Sequence, residues 1–174
     1  MAADPSPEPP GDVFEELFRI SKILLSEEDD ENTAERLLRR VVERTGAERG
    51  FIVVREAAGF EQKFEYRYDR EALTAAERRF SRTLVRDAIG TRKQIYLPNL
   101  IEDQRFSSAE SMRMIGQSSA LVAPLFYGDE VYGVVYLEGR QRDSFSEESR
   151  AFLREFAEVA GLFMRRALER QEPT

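Results

Sequence analysis

Residues 121–139, LVAPLFYGDEVYGVVYLEG, read as two apolar runs joined at Gly128-Asp129. A two-residue Gly-X loop suits a type II′ hairpin, because glycine accepts positive φ at the first central position. Setting Tyr127 opposite Glu130 pairs Phe126 with Val131, Leu125 with Tyr132, Pro124 with Gly133, Val122 with Val135 and Leu121 with Tyr136. Side chains alternate across a strand. A regular pleat therefore puts Val122, Pro124, Phe126, Val131, Gly133, Val135 and Leu137 on one face. Leu121, Ala123, Leu125, Tyr127, Tyr132, Val134 and Tyr136 take the other. Neither face is polar. The aliphatic face, with Gly133 open to the close approach of a helix, reads as the floor of a core. The tyrosine face, left bare, would reach the roughly 300–600 Å² limit of a monomer's exposed apolar patch. Both faces need a cover.

The bulk numbers allow a single folded unit. The chain has 174 residues and 41% hydrophobic content, with a formal charge of −7 from 33 acidic and 26 basic side chains. That balance speaks against contact with nucleic acid or an anionic membrane surface. Cysteine and histidine are absent throughout. This removes disulfides, thiolate nucleophiles, Ser-His and Cys-His relays, and histidine-ligated haem or zinc. No secretory signal opens the chain, and no apolar run approaches the roughly 18 residues of a membrane span. Cytoplasmic residence is the expectation.

Four of the seven prolines fall in residues 1–11, which read as a disordered leader. Residues 12–25 carry Val13, Phe14, Leu17, Phe18, Ile20, Ile23, Leu24 and Leu25 at helical spacing, with a broad apolar arc. Asn32, with Glu35 three residues on, reads as the cap of a second helix; Ala34, Leu37, Leu38, Val41 and Val42 form its inner face, and Gly46 follows its end. GFIVVRE (50–56) is apolar on both faces, as a central strand is, whereas FEQKFEYRYD (60–69) alternates and suits an edge. A short helix ending at Gly90 turns Leu84, Val85, Ala88 and Ile89 inward, and a strand QIYLP follows. Residues 99–118 are weakly periodic and suit a loop with short helices. After the hairpin, Ser146 opens a long helix with Glu147 and Glu148 in its first turn, where the macrodipole favours acids.

This order of elements predicts an α+β fold. The expected architecture is an antiparallel sheet of five to six strands, with terminal helices on one face and the 99–118 segment as a lid on the other. A lid over an apolar concavity is where small ligands bind.

Three stretches, SRTLVRDAIGTRKQIYLPNL (81–100), EDQRF (102–106) and SSALVAPLFYGDEVYGVVYLEG with FSEES (118–149), resemble a GAF domain in order and spacing. The resemblance covers roughly 12–170, leaving 171–174 as a tail or linker. It implies a PAS-related sensory or regulatory module, often dimeric through its terminal helices. Such modules commonly precede an output domain such as a histidine kinase, a cyclase or a transcription activator. Cyclic-nucleotide-binding members carry an Asn-Lys pair after the last strand and Asp-Glu four residues beyond a Phe. Here Glu138-Gly139-Arg140 stands in the first place, and Phe145 is followed by Ser149-Arg150. Members that bind bilin or haem, or reduce methionine sulfoxide, need Cys or His, which this chain lacks.

The expected ligand-binding set is Val53, Tyr66, Phe106, Arg113, Gln117, Ser119, Leu121 and Tyr136, with Arg113 as an anion hook and the tyrosines as an amphipathic lining. Ordinary core packing of the tyrosines and a solvated Arg113 form the competing interpretation. Two functions compete as well. One is a sensor of an unknown small effector, signalling to a downstream output domain of a bacterial signalling or transcription-regulatory protein. The other is a ligand-free dimerisation module. A homodimer is expected through helices 12–25 and 146–170. No cofactor or metal is expected. With no nucleophile, metal cluster or phosphate loop in view, the chain is expected not to be an enzyme.

Overall fold

The computed structural model describes residues 30–66, 82–99, 119–141 and 143–171, together with positions 15, 18, 19, 21 and 22, which are helical. The leader 1–11, most of helix 12–25 and the 100–118 segment lie outside the described residues, as do Phe106, Arg113 and Gln117. Three helices are described: α1 (Asp30–Thr45), α2 (Arg82–Thr91) and α3 (Glu147–Gln171). The five strands are β1 (Arg49–Glu56), β2 (Gly59–Tyr66), β3 (Ile95–Leu97), β4 (Ser119–Tyr127) and β5 (Glu130–Gly139). They form one antiparallel sheet in the order β2-β1-β5-β4-β3. The apolar 50–56 run lies inside the sheet, and the alternating strand lies at its edge.

The sheet divides the core in two. On one face, Leu37, Leu38, Val41 and Val42 of α1 and Phe152, Phe156 and Ala160 of α3 pack on Ile52, Leu121, Val135 and Leu137. On the other, Leu84, Val85, Ala88 and Ile89 of α2 pack on Phe51, Val53, Val122, Val134 and Tyr136. Helices α1 and α3 thus share one face; the placement of helix 12–25 lies outside the described residues.

Local expectations differ in three places. Asn32 lies inside α1, which begins at Asp30, so it is not the cap. Gly90 is likewise interior to α2, and Arg92 with φ 61° takes the left-handed position after that helix. The Gly128-Asp129 turn has the expected hand, with Gly128 at φ 62°. The hairpin register, however, slips within four residues of it. Phe126 pairs with Val131 as predicted, but Leu125 pairs with Gly133, leaving Tyr132 as the extra residue of a β-bulge. Val122 therefore faces Tyr136 and Leu121 faces Leu137.

The bulge redistributes the aromatic side chains. Tyr132 joins Leu121, Ala123 and Leu125 on the α3 face, while Val134 and Tyr136 join Val122 on the α2 face. The three-tyrosine surface expected from a regular pleat does not form. A Cβ on Gly133 would stand 2.4 Å from the Val53 carbonyl oxygen, so the close approach at Gly133 is that of strand β1 and not of a helix. The helix contact expected at Gly133 occurs instead at Gly161 of α3, where a Cβ would meet the Phe126 carbonyl oxygen at 2.4 Å.

A second bulge, at Lys63, has the same effect on β2. Ile52 pairs with Phe64 but Val53 pairs with Gln62. Phe60 consequently packs on the α2 side and Phe64 and Tyr66 on the α1 side, although all three share even spacing.

Candidate functional site

The α2 face of the sheet is built by side chains that alternate inward from β1 and β5. Phe51 and Tyr136 stack with ring centroids 4.7 Å apart and planes 12° from parallel. They are 1% and 2% exposed, so the pair forms a closed aromatic floor flanked by Val53 and Val134. Gln94, Ile95 and Leu97 bring the chain from α2 to the sheet edge. Asn99 and Ser119, which bracket the 100–118 segment, stand at the end of neighbouring strands β3 and β4, where Leu97 pairs with Ala120.

Of the predicted ligand-binding residues, Val53 and Tyr136 are brought together on this face. Leu121 lies on the opposite face against the terminal helices. Tyr66 also lies there, its hydroxyl 3.3 Å from the Glu43 carboxylate and its ring beneath the Arg39 guanidinium at 5.5 Å. Ser119 is buried at the sheet end, where its Oγ accepts from the Ser144 backbone N–H at 3.4 Å. The set expected to line one cavity is therefore split between two faces. Phe51 and the inner side of α2 belong to the Val53–Tyr136 surface but not to that set. Their signal was present in the two-faced apolar run 50–56 and in the inward spacing of Leu84, Val85, Ala88 and Ile89.

The helix face carries the polar connections. The bulged Tyr132 donates its hydroxyl to the Gly161 carbonyl of α3, and the Arg165 guanidinium lies 5.4 Å over its ring. Burial pushes the Tyr132 hydroxyl pKa up, against the opposing pull of Arg165. At the far end of β5, Glu138 is paired with Arg49, yet burial outweighs that cation and holds its pKa above the usual carboxylate value. The Tyr96 hydroxyl donates to Asp143, with Arg150 4.6 Å over the ring. Burial, then the Asp143 carboxylate, push Tyr96 up to about 12. These contacts join β5, β3 and the loop before α3 to the start and middle of that helix.

The described elements form an antiparallel sheet with helices α1 and α3 on one face and the short helix α2 on the other. A family profile described as a GAF domain matches residues 27–165, and the chain belongs to that family. No curated protein matches the chain significantly. Among solved structures, it is similar to the GAF domain of an Acinetobacter phosphoenolpyruvate-protein phosphotransferase, at 15% identity and a TM-score of 0.68, covering 92% of this chain and 97% of that one. A domain of a putative two-component sensor histidine kinase protein from Sinorhizobium meliloti 1021 is similar at 18% identity and a TM-score of 0.60, over 82% and 97%. The free methionine-R-sulfoxide reductase of Neisseria meningitidis, solved with its substrate, is similar at 14% identity and a TM-score of 0.61, over 91% of each chain.

The last of these corrects the expectation that the chain is not an enzyme. Reductases with this fold exist, so a GAF architecture does not by itself set catalysis aside. Among the described residues, no helix is long and apolar enough to cross a membrane.

Proposed function

We propose that this GAF domain is a sensor that binds a small effector against the α2 face, beneath the 100–118 segment, and signals through its terminal helices to an output domain of a bacterial signalling or transcription-regulatory protein. One observation carries the reading. The Phe51–Tyr136 surface is nearly closed to solvent, and the only described helix on it is the ten-residue α2, while the 100–118 segment leaves and rejoins the chain at its border. The sensor kinase domain among the similar structures supports the regulatory role. Signal would pass as a population shift: an effector preferring one arrangement of the cover changes the packing of β5, and Tyr132 relays that change to Gly161 of α3.

Arg113, Gln117 and Phe106 are the residues proposed to contact the effector from the segment, with Val53 and Tyr136 beneath it. Dimerisation through helices 12–25 and 146–170 is supported by exposed apolar side chains on them: Phe18 at 61%, Leu162 at 40% and Val159 at 36%. The tight stack of Phe51 on Tyr136 favours a second reading, in which the domain's own side chains fill the site and dimerisation is its whole role.

A melting-temperature screen against a metabolite panel separates the two. A genuine effector at 100 times its dissociation constant adds about 2.7 kcal/mol of stability. A stabilising compound whose effect is lost in Tyr136→Ala supports the sensor. A dimer that no compound stabilises supports the second reading.

A further inference from the structure

We infer that the domain has a second ligand site, on the α3 side of the sheet, for a small organic carboxylate with an apolar body and a neighbouring hydroxyl or amino donor. Strand β3 is short and pairs only with Ala120, Leu121 and Val122 of β4. Beyond it, the flank of β4 from Ala123 to Phe126 has no strand partner on that side among the described elements. Pro124 lacks an N–H in any case. A cleft of about 300 Å³ opens there, between the α2–β3 connection and the middle of α3. That is the lower end of the range for small-molecule sites.

Its floor is apolar, formed by Ala123, Pro124 and Phe126 of β4 with Ala157 of α3. Its polar groups come in two kinds. Lys93 and Arg154 stand at the exposed mouth, and neither makes a hydrogen bond or ion pair with another described residue. Arg92 adds a third cation, held over the Phe126 ring at 5.4 Å and bonded to the Asp129 carbonyl. Glu158 is the single acid on the wall. With three cations against one carboxylate, the cleft favours an anion.

Gln94 supplies the discriminating group. Its Nε2 donates to the Arg150 carbonyl at 2.9 Å, which fixes the amide. Its Oε1 is buried and accepts from no group among the described residues. An unsatisfied buried acceptor is costly, so a ligand that donates to it recovers that cost. A carboxylate would meet Lys93 and Arg154, an apolar body Ala123, Ala157 and Phe126, and a hydroxyl or ammonium Gln94. The cleft lies at the edge of the sheet: Ala123 and Ala157 belong to the helix-side core, and Phe126 packs against the α2-side core, but Phe51, Val53 and Tyr136 of the effector surface do not line it.

The test is methyl NMR of Ala123 and Ala157 during titration with 3-phenyllactate, and with 3-phenylpropionate, which has the same body and carboxylate but no donor. Saturable shifts of both methyls are expected, with tighter binding of 3-phenyllactate. Removing the two exposed cations in Lys93→Ala/Arg154→Ala weakens binding by about tenfold or more, since both charge-assisted bonds to the carboxylate are lost. Both side chains are at the surface, so the variant keeps the fold. Absence of saturable shifts in the folded protein, undiminished binding by the double variant, or equal binding of the two probes would overturn the assignment.

Discussion

Gly133 and Gly90 show how differently one residue type is used. Gly133 sits where a Cβ would stand 2.4 Å from the Val53 carbonyl oxygen, a backbone atom that cannot swing away. Gly133→Ala is expected to destabilise by about 1–3 kcal/mol or more, in line with overpacking of a tight core. Gly90 lies inside α2, where an added methyl would find no atom within 4 Å. Gly90→Ala is expected to stabilise by about 0.5–1 kcal/mol, because alanine loses less backbone entropy in a helix. Urea unfolding of the two variants should move the midpoint in opposite directions, and movement in the same direction would contradict the close approach of β1 and β5.

Tyr96 offers a pH handle at the same scale. Its pKa is raised from 10.0 unfolded to about 12 folded, by burial and by its bond to Asp143. A raised pKa means that the native state keeps a proton that the unfolded state releases. The contribution of the hydroxyl is thus complete below about pH 10 and lost as pH climbs towards about 12. Tyr96→Phe should be less stable than the native chain near neutrality, and the gap should close over that alkaline window. A gap independent of pH would show that the phenol keeps its ordinary pKa.

Among the elements, α3 carries the most consequence. It is 25 residues long, capped by Ser146, whose Oγ accepts from the Ser149 N–H at 3.1 Å. Ser146→Ala should cost about 1 kcal/mol, read in thermal unfolding. Its inner stripe of Phe152, Phe156 and Ala160 is spent on the sheet, whereas Val159 and Leu162 face outward. Placing glutamates at both outward positions is expected to leave the far-ultraviolet dichroism intact and to shift sedimentation from dimer towards monomer. Unchanged sedimentation would remove these residues from the interface.

What the sequence discloses about the elements follows from their periodicity. The Gly128-Asp129 turn, the cap at Ser146, the inward side of α2 and the edge position of β2 all rest on local spacing, and all are present. The bulges at Lys63 and Tyr132 break the two-residue period, and nothing local marks them. Both fall in strands that pair with β1, and they appear only in the register of the assembled sheet. Each one moves aromatic side chains to the other face, which is why Tyr132 and Tyr136, separated by four residues, end on opposite sides. The cleft beside β4 was equally hidden, because its walls come from residues 92–94, 123–126 and 154–158, far apart in the chain.

At the scale of the whole molecule, one sheet separates two cores. The helix side is sealed by α1 and α3 and tied to β5 by the Tyr132–Gly161 bond. The α2 side holds the aromatic floor on which we place the effector. Strand β5 serves both, since Val134 and Tyr136 face one core while Tyr132, Val135 and Leu137 face the other. In the proposed sensor, this strand would carry a change on one face to the second by a short path.

The most direct test is a methyl NMR spectrum of the domain with a compound found to stabilise it, following Val53 and Val134 on the α2 face and Val159 and Leu162 on α3. Coupling through β5 predicts that both pairs shift together along one titration curve. Shifts confined to Val53 and Val134, with the α3 methyls unmoved at saturation, would contradict it.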